Sequence, residues 1–248
     1  MDNYLQKASD SGLLDVIKEW IKTEKEISTS KIQRLFSVGY RTATSIINYL
    51  VEENLIVAES STSTRYKVVC YSPGIKIYLL DRNPLITNEW RIAFKDEPEA
   101  IIVEDDFESF MNSHEVECIV SPANSWGIMT GGYDLAITNY FGNSLQAAVQ
   151  RYIRHNFYGE QPVATSFIID IPNTKQKLIH TPTMQMTKTI KDDFVVYQCM
   201  RTTLITAFNN KIKSIVIPAF GGQCGKVPPK MIAQRMKEAY LQIFFNLK

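Results

Sequence analysis

The sequence predicts a small winged helix-turn-helix domain over residues 1–73, followed by an α/β domain over 74–248 with helices on both faces of a mixed sheet, three layers in all. Three observations predict this. The first seventy residues carry apolar residues at helical spacing and then two short apolar runs around a polar tip. From residue 75 onward, short apolar runs alternate with helical patterns, the rhythm of a layered α/β fold. Two of those apolar runs end in glycine-rich loops, and in such folds functional loops gather at the carboxyl ends of strands.

In the first domain, Leu13, Leu14, Ile17, Trp20 and Ile21 place a helix within 12–26, with Asp10 or Ser11 as its cap. Ser28-Thr29-Ser30 offers an N-cap for a short helix over 31–36, which Val38-Gly39 breaks. A third helix runs over 40–53 with Ala43, Ile46, Ile47 and Leu50 inward. Leu55-Ile56-Val57, a polar turn at 59–64 and the alternating run 66–71 read as a hairpin. Three helices and a hairpin make the winged form of helix-turn-helix. Ser72-Pro73-Gly74 sets the boundary.

In the second domain, strands are expected over 75–80, 91–94 and 101–103, with Asn83-Pro84 and Asn88 as turn material. A short helix at 107–111 precedes a strand at 116–121. Helices follow from 133 and over 145–157, then strands over 165–170 and 177–180. A long helix over 192–209, a strand over 214–217 and a helix over 227–245 complete the pattern.

The segment 121–142 organises this domain. Apolar Cys118, Ile119 and Val120 enter it, Gly131-Gly132 ends its loop, and Leu135, Ala136 and Tyr140 leave it at helical spacing. A strand, a loop and a helix N-terminus follow one another, and the exposed amides there favour phosphate or carboxylate. Asn124 and Asp134 flank the glycines, placed so that a folded loop aims both at one ligand.

Composition narrows the function classes. A net charge of +1 over 248 residues gives no global attraction to nucleic acid or membrane. The four cysteines, Cys70, Cys118, Cys199 and Cys224, have no metal-like or redox-like spacing and read as reduced thiols. His114 and His155 read as surface residues and His180 as structural, so no metal site is expected. The first residues lack a signal-peptide pattern, and no apolar run approaches the ~20 residues that span a bilayer, so a cytoplasmic protein without membrane contact is expected.

Asn124, six intervening residues, Gly131-Gly132, one residue and then Asp134 resembles the signature of macrodomains, which bind ADP-ribose. It is most similar to the branch that hydrolyses mono-ADP-ribose esters on carboxylates. The resemblance implies that Asn124 and Asp134 are catalytic, surrounding the distal ribose and its attacking water. It implies ligand contact by Ser121, Ala123, Gly131, Gly132 and Tyr133 as well. Tyr133 replaces a small aliphatic residue, and Ser121 replaces an Asn.

The last apolar strand leads into a second glycine loop at 217–228, and macrodomains wrap the diphosphate with such a segment. Ala219, Phe220, Gly221, Gly222, Gln223, Cys224 and Gly225 are its implied ligand residues. Glycines let backbone N–H groups approach phosphate closely. Gln223 stands where glycine is usual, and Gly222 where a small hydroxyl residue is frequent. The family also places an Asp on the adenine amino group. Asp106 suits that position, with Asp105 the fallback, and the pair reads equally as a helix N-cap. Phe220 reads either as a wall near the phosphates or as core, while Trp126 and Tyr133 are placed to cover the distal ribose.

Residues 28–58, with Phe36-Ser37-Val38-Gly39-Tyr40 at their centre, are similar to the gamma domain of the FtsK/SpoIIIE DNA translocases, a winged helix that reads duplex DNA. The family tends to carry two arginines on the third helix, where this chain has Thr42 and Ser45 and gains Arg41. Residues 1–75 hold nine Lys/Arg and nine Asp/Glu. Lys31, Arg34, Tyr40, Arg41 and Arg65, with Lys67, are the residues assigned to double-stranded DNA; phosphate contacts supply sequence-independent affinity. A protein-docking role stays open beside it. Two readings of the whole follow: an ADP-ribosyl hydrolase delivered by a DNA-binding module to an ADP-ribosylated macromolecule, or a sensor of ADP-ribose that regulates DNA binding. Neither needs a cofactor beyond ADP-ribose as ligand or product.

Overall fold

The computed structural model describes residues 2–21, 24, 26–58, 64–68 and 75–246. Two compact units divide the chain, one built on residues 1–73 and one on residues 74–243. The expected break at Ser72-Pro73-Gly74 and most of the expected turn at 59–64 lie outside the described residues, as do Cys70 and Tyr71.

The smaller unit runs α1 (Asn3–Asp10), α2 (Leu13–Ile21), β1 (Glu26–Ser28), α3 (Thr29–Phe36), α4 (Tyr40–Glu52), β2 (Ile56–Ala58) and β3 (Arg65–Val68). β3 pairs antiparallel with both β1 and β2, giving a three-stranded wing. Ser28 caps α3 by accepting from the Lys31 N–H at 3.2 Å, as the sequence indicates. Ser37 ends α3 in the left-handed region at φ 52°. Two elements go beyond the expected three helices and hairpin. α1 is capped by Asp2, which accepts from the Leu5 N–H at 2.7 Å, and it buries only Leu5 and Ala8. β1 is three residues long and exists through its pairing with β3. Ile17, Ile32, Ile46, Ile47 and Leu50 centre the core of this unit.

The larger unit runs β4 (Lys76–Leu80), α5 (Pro84–Ala93), β5 (Ala100–Val103), α6 (Phe107–Ser113), β6 (Cys118–Ser121), α7 (Gly132–Phe141), α8 (Ser144–Phe157), β7 (Phe167–Asp170), β8 (Lys177–His180), α9 (Phe194–Asn209), β9 (Ser214–Pro218) and α10 (Pro229–Asn246). Its sheet has the order β5-β4-β9-β6-β8-β7, parallel except for β7, which pairs antiparallel with β8. This is the expected mixed sheet of a three-layer α/β/α domain. Leu80, Ile119, Leu178 and Val216 share one core with α6, α7 and α8. Alternation turns Leu79, Val120, Ile179 and Ile217 to the opposite face, and all four are buried.

The strand expected at 91–94 is instead the end of α5. Asn83 accepts from the Leu85 N–H at 3.0 Å, and Pro84 occupies the first helical turn, where its missing N–H costs nothing. Asn83-Pro84 is therefore a helix start rather than a turn. Ile86, Thr87 and Trp90 form the buried stripe of that helix.

Candidate functional site

Parallel pairing decides where the site lies. β5, β4, β9, β6 and β8 all point the same way, so the segments that follow them emerge at one edge of the sheet. Adjacent strands lie ~4.8 Å apart, which brings the glycine loops after β6 and β9 side by side. The β6 loop is fixed further by ladder-like bonds, Thr181 N–H to Ser121 O and Thr183 N–H to Ala123 O, and by the Asn124–Met184 bridge.

A cleft of about 190 Å³ opens at that edge. Ala123, Asn124, Gly131, Gly132, Tyr133 and Asp134 line it from the first loop. Ala219, Gly221, Gly222, Gln223, Cys224 and Gly225 line it from the second. An adjoining lobe of about 100 Å³ is lined by Asp105, Asp106 and Phe107, and shares Asp81, Gly132, Tyr133 and Gln223 with the first. The structure thus gathers Asp106 and both loops into one elongated depression.

Asp134 sits in the first turn of α7 and is 9% exposed. Burial pushes its carboxyl up to about 7, partly offset by the Ser121 hydroxyl, which donates to Oδ1 at 2.6 Å. Ser121 itself is fully buried and absent from the cleft wall, so its position offers no direct contact there and it reaches the cleft only through its bond to Asp134. No side chain caps α7 at Gly131. The N–H groups of its first turn are thus left without a side-chain cap, at residues that line the cleft and at the positive end of the helix dipole.

Asn124 is placed differently from what the sequence implies. Its Oδ1 accepts from the N–H groups of Trp126 (3.1 Å) and Ile128 (3.2 Å), and its Nδ2 donates to Ile128 O at 2.9 Å. The amide chiefly closes its own loop, with one Nδ2 proton left to donate. Phe220 is fully buried and lines neither lobe, because it points into the core from the end of β9; it is not a phosphate wall. Trp126 also lines neither lobe. Tyr133 lines both, packed edge-on against Phe107 at 5.3 Å. Among the described residues its buried hydroxyl has no hydrogen-bond partner, and burial holds its pKa well above the usual value.

Asp106 both caps α6 and faces the second lobe. Its carboxylate accepts from the Ser109 N–H at 2.9 Å and the Ser109 hydroxyl at 3.2 Å, which holds its pKa below the usual value. His180 is structural: fully buried, stacked on Phe167, with Nδ1 against Gln161 Oε1 at 2.6 Å and a pKa pushed down to about 3 by burial. Among the described residues no cluster suits a metal ion, and no helix is long and apolar enough to cross a membrane.

Sequence reasoning missed Asp81 and Arg82. Asp81 follows β4, lines both lobes and has a pKa raised by burial. A charged pair directly after a fully apolar strand end was the available signal. Thr183, Met184 and Thr187, beyond β8, also face the cleft.

In the smaller unit, α4 precedes the wing and exposes Tyr40, at 67%, with Arg41. Arg34 and Arg65 are exposed as well. Lys31 departs from that expected face. Its ammonium pairs with Glu24 at 2.6 Å and lies 5.5 Å from the Trp20 ring centroid, so its charge is already answered. Ser45, at a position where the gamma domains tend to have arginine, is buried and donates to Asp2 Oδ2 at 2.6 Å.

Residues 120–236 match the family model of the Macro domain, and residues 8–70 match that of the Ftsk gamma domain. The chain joins an FtsK gamma domain to a Macro domain. The macrodomain match runs from the end of β6 into the first half of α10 and includes both glycine loops. An uncharacterized protein of Aquifex aeolicus is 29% identical over 126 residues, covering 50% of this chain and 72% of that protein. The Oceanobacillus iheyensis macrodomain with ADP is similar at a TM-score of 0.47 and 22% identity, covering 53% of this chain and 70% of that one. The macrodomain of Mycobacterium tuberculosis DarG is similar at 0.46 and 18%, covering 52% and 84%.

Proposed function

We propose that the macrodomain is a mono-ADP-ribosyl hydrolase and that the gamma domain brings it to duplex DNA. The observation that carries this reading is Asp134. It lies where the two glycine loops meet, and burial raises its carboxyl to about 7. A general base works best when its pKa is near the working pH. Adenine fits the lobe beside Asp106, and the diphosphate passes between the glycine loops, facing the first-turn amides of α7. The distal ribose then lies toward Asp134 and Asn124. Asp134 takes a proton from water as the water oxygen bonds to the anomeric carbon. The bond from that carbon to the leaving group breaks, and its electron pair departs with the carboxylate or the DNA base.

Asn124 favours a second reading, a non-catalytic sensor, because most of its amide is spent inside its own loop. The experiment that separates the two is release of ADP-ribose from substrates modified on carboxylate or on DNA, with wild type beside Asp134→Asn. Release that depends on Asp134 supports the hydrolase. ADP-ribose binding without release from either substrate supports the sensor.

A further inference from the structure

The side chain of Gln223 reaches from the second glycine loop to the first. Its Oε1 lies 2.0 Å from where a Cβ on Gly132 would stand, so any side chain there would push the flexible end of Gln223 aside. Gly132 is also held at φ 57°, which suits glycine for a second, independent reason. Gln223 and Gly132 line both lobes of the cleft, so the contact lies where the lobes meet. It also lies at the uncapped start of α7, where acceptor oxygens are favoured. The carboxamide oxygen thus occupies ground that a phosphate oxygen of a spanning ligand needs. No hydrogen bond within the described residues holds this exposed side chain in place.

We propose that Gln223 is a specificity-determining latch: a ligand that extends through both lobes must displace it, whereas one confined to a single lobe need not. This inference rests on the ADP-ribose reading above. A site whose competent form is fractionally populated loses apparent affinity by that fraction, so a latch closed nine-tenths of the time weakens binding about tenfold. Glycine at this position, as in the family pattern, has no side chain to lay across the junction. Glutamine therefore makes this cleft demand more of a full-length dinucleotide-like ligand than of its halves.

The test is calorimetry of the full chain with ADP-ribose and with AMP, on wild type, Gln223→Ala and Gln223→Gly. Alanine removes the side chain without adding backbone freedom, which separates the latch from loop flexibility. The latch predicts that both variants bind ADP-ribose about tenfold more tightly while AMP affinity moves less than about twofold. Unchanged or weaker ADP-ribose binding in both variants overturns the latch and leaves the ADP-ribose reading standing; weaker binding identifies Gln223 as a ligand donor instead. An equal gain for AMP overturns it too, since the change is then general loosening. Absence of ADP-ribose binding in all three proteins overturns both the latch and the reading beneath it.

Discussion

The Ser121 hydroxyl donates a 2.6 Å hydrogen bond to Asp134 Oδ1, linking the last residue of β6 to the first turn of α7. Burial raises the Asp134 carboxyl and this bond lowers it, so the pair sets the ionisation of the proposed base. Ser121→Ala removes the lowering partner alone. Since hydrogen bonds to charged groups contribute roughly 1.5–3 kcal/mol, the acid limb of the hydrolysis pH profile moves up by about one to two pH units. A pH–rate profile of both proteins checks this.

The same carboxyl has a cost in stability whose sign is fixed. Its folded pKa, about 7, lies above the ordinary aspartate value of 3.8, so its contribution to stability is fully present below the lower value and is lost as pH rises through the higher. The difference corresponds to about 4 kcal/mol at most. Asp134→Asn keeps an oxygen for Ser121 and cannot ionise. It melts at a higher temperature than wild type at about pH 8, and the gain vanishes near pH 4. Calorimetric melts across that window read it directly.

Asp106 separates capping from ligand recognition. Its carboxylate caps α6 through Ser109 and faces the second lobe. Asp106→Ser retains an N-cap acceptor, whereas Asp106→Ala loses it at a cost of about 1 kcal/mol. Both weaken ADP-ribose binding in calorimetry, and only the alanine variant lowers the melting temperature clearly.

The basic residues of the gamma domain are unequal. Arg34 is exposed, while Lys31 is paired with Glu24. Each phosphate contact adds about 0.9 to the slope of log affinity against log salt. Arg34→Ala therefore lowers that slope by about one in anisotropy titrations with duplex DNA, and Lys31→Ala changes it by less than half as much.

Much of this architecture was legible in the sequence because local signals agreed with it. The apolar run at 118–120, Gly131-Gly132 and the helical spacing beyond predicted β6, its loop and α7 correctly. The elements that escaped have weak or ambiguous local signals. α1 buries two residues, β1 exists through a long-range pairing, and Asn83-Pro84 fits a turn as well as a helix start. The site was legible by composition but not by orientation. Spacing brought Asn124 and Asp134 to one cleft, yet it gave no sign that the Asn124 amide folds back onto Ile128. Nor did it show that Phe220 turns inward while its neighbours Ala219 and Gly221 line the cleft. Such outcomes depend on which way a strand end turns its side chains.

The central claim is that Asp134 activates water, and the most direct measurement is single-turnover release of ADP-ribose by wild type and Asp134→Asn. The substrates are a carboxylate-modified protein and an ADP-ribosylated DNA duplex, with ADP-ribose binding measured on the same preparations. The account predicts release from at least one substrate, a loss of about 10²-fold or more in the variant, and retained binding. Equal release by the two proteins, or binding without release by wild type, contradicts it.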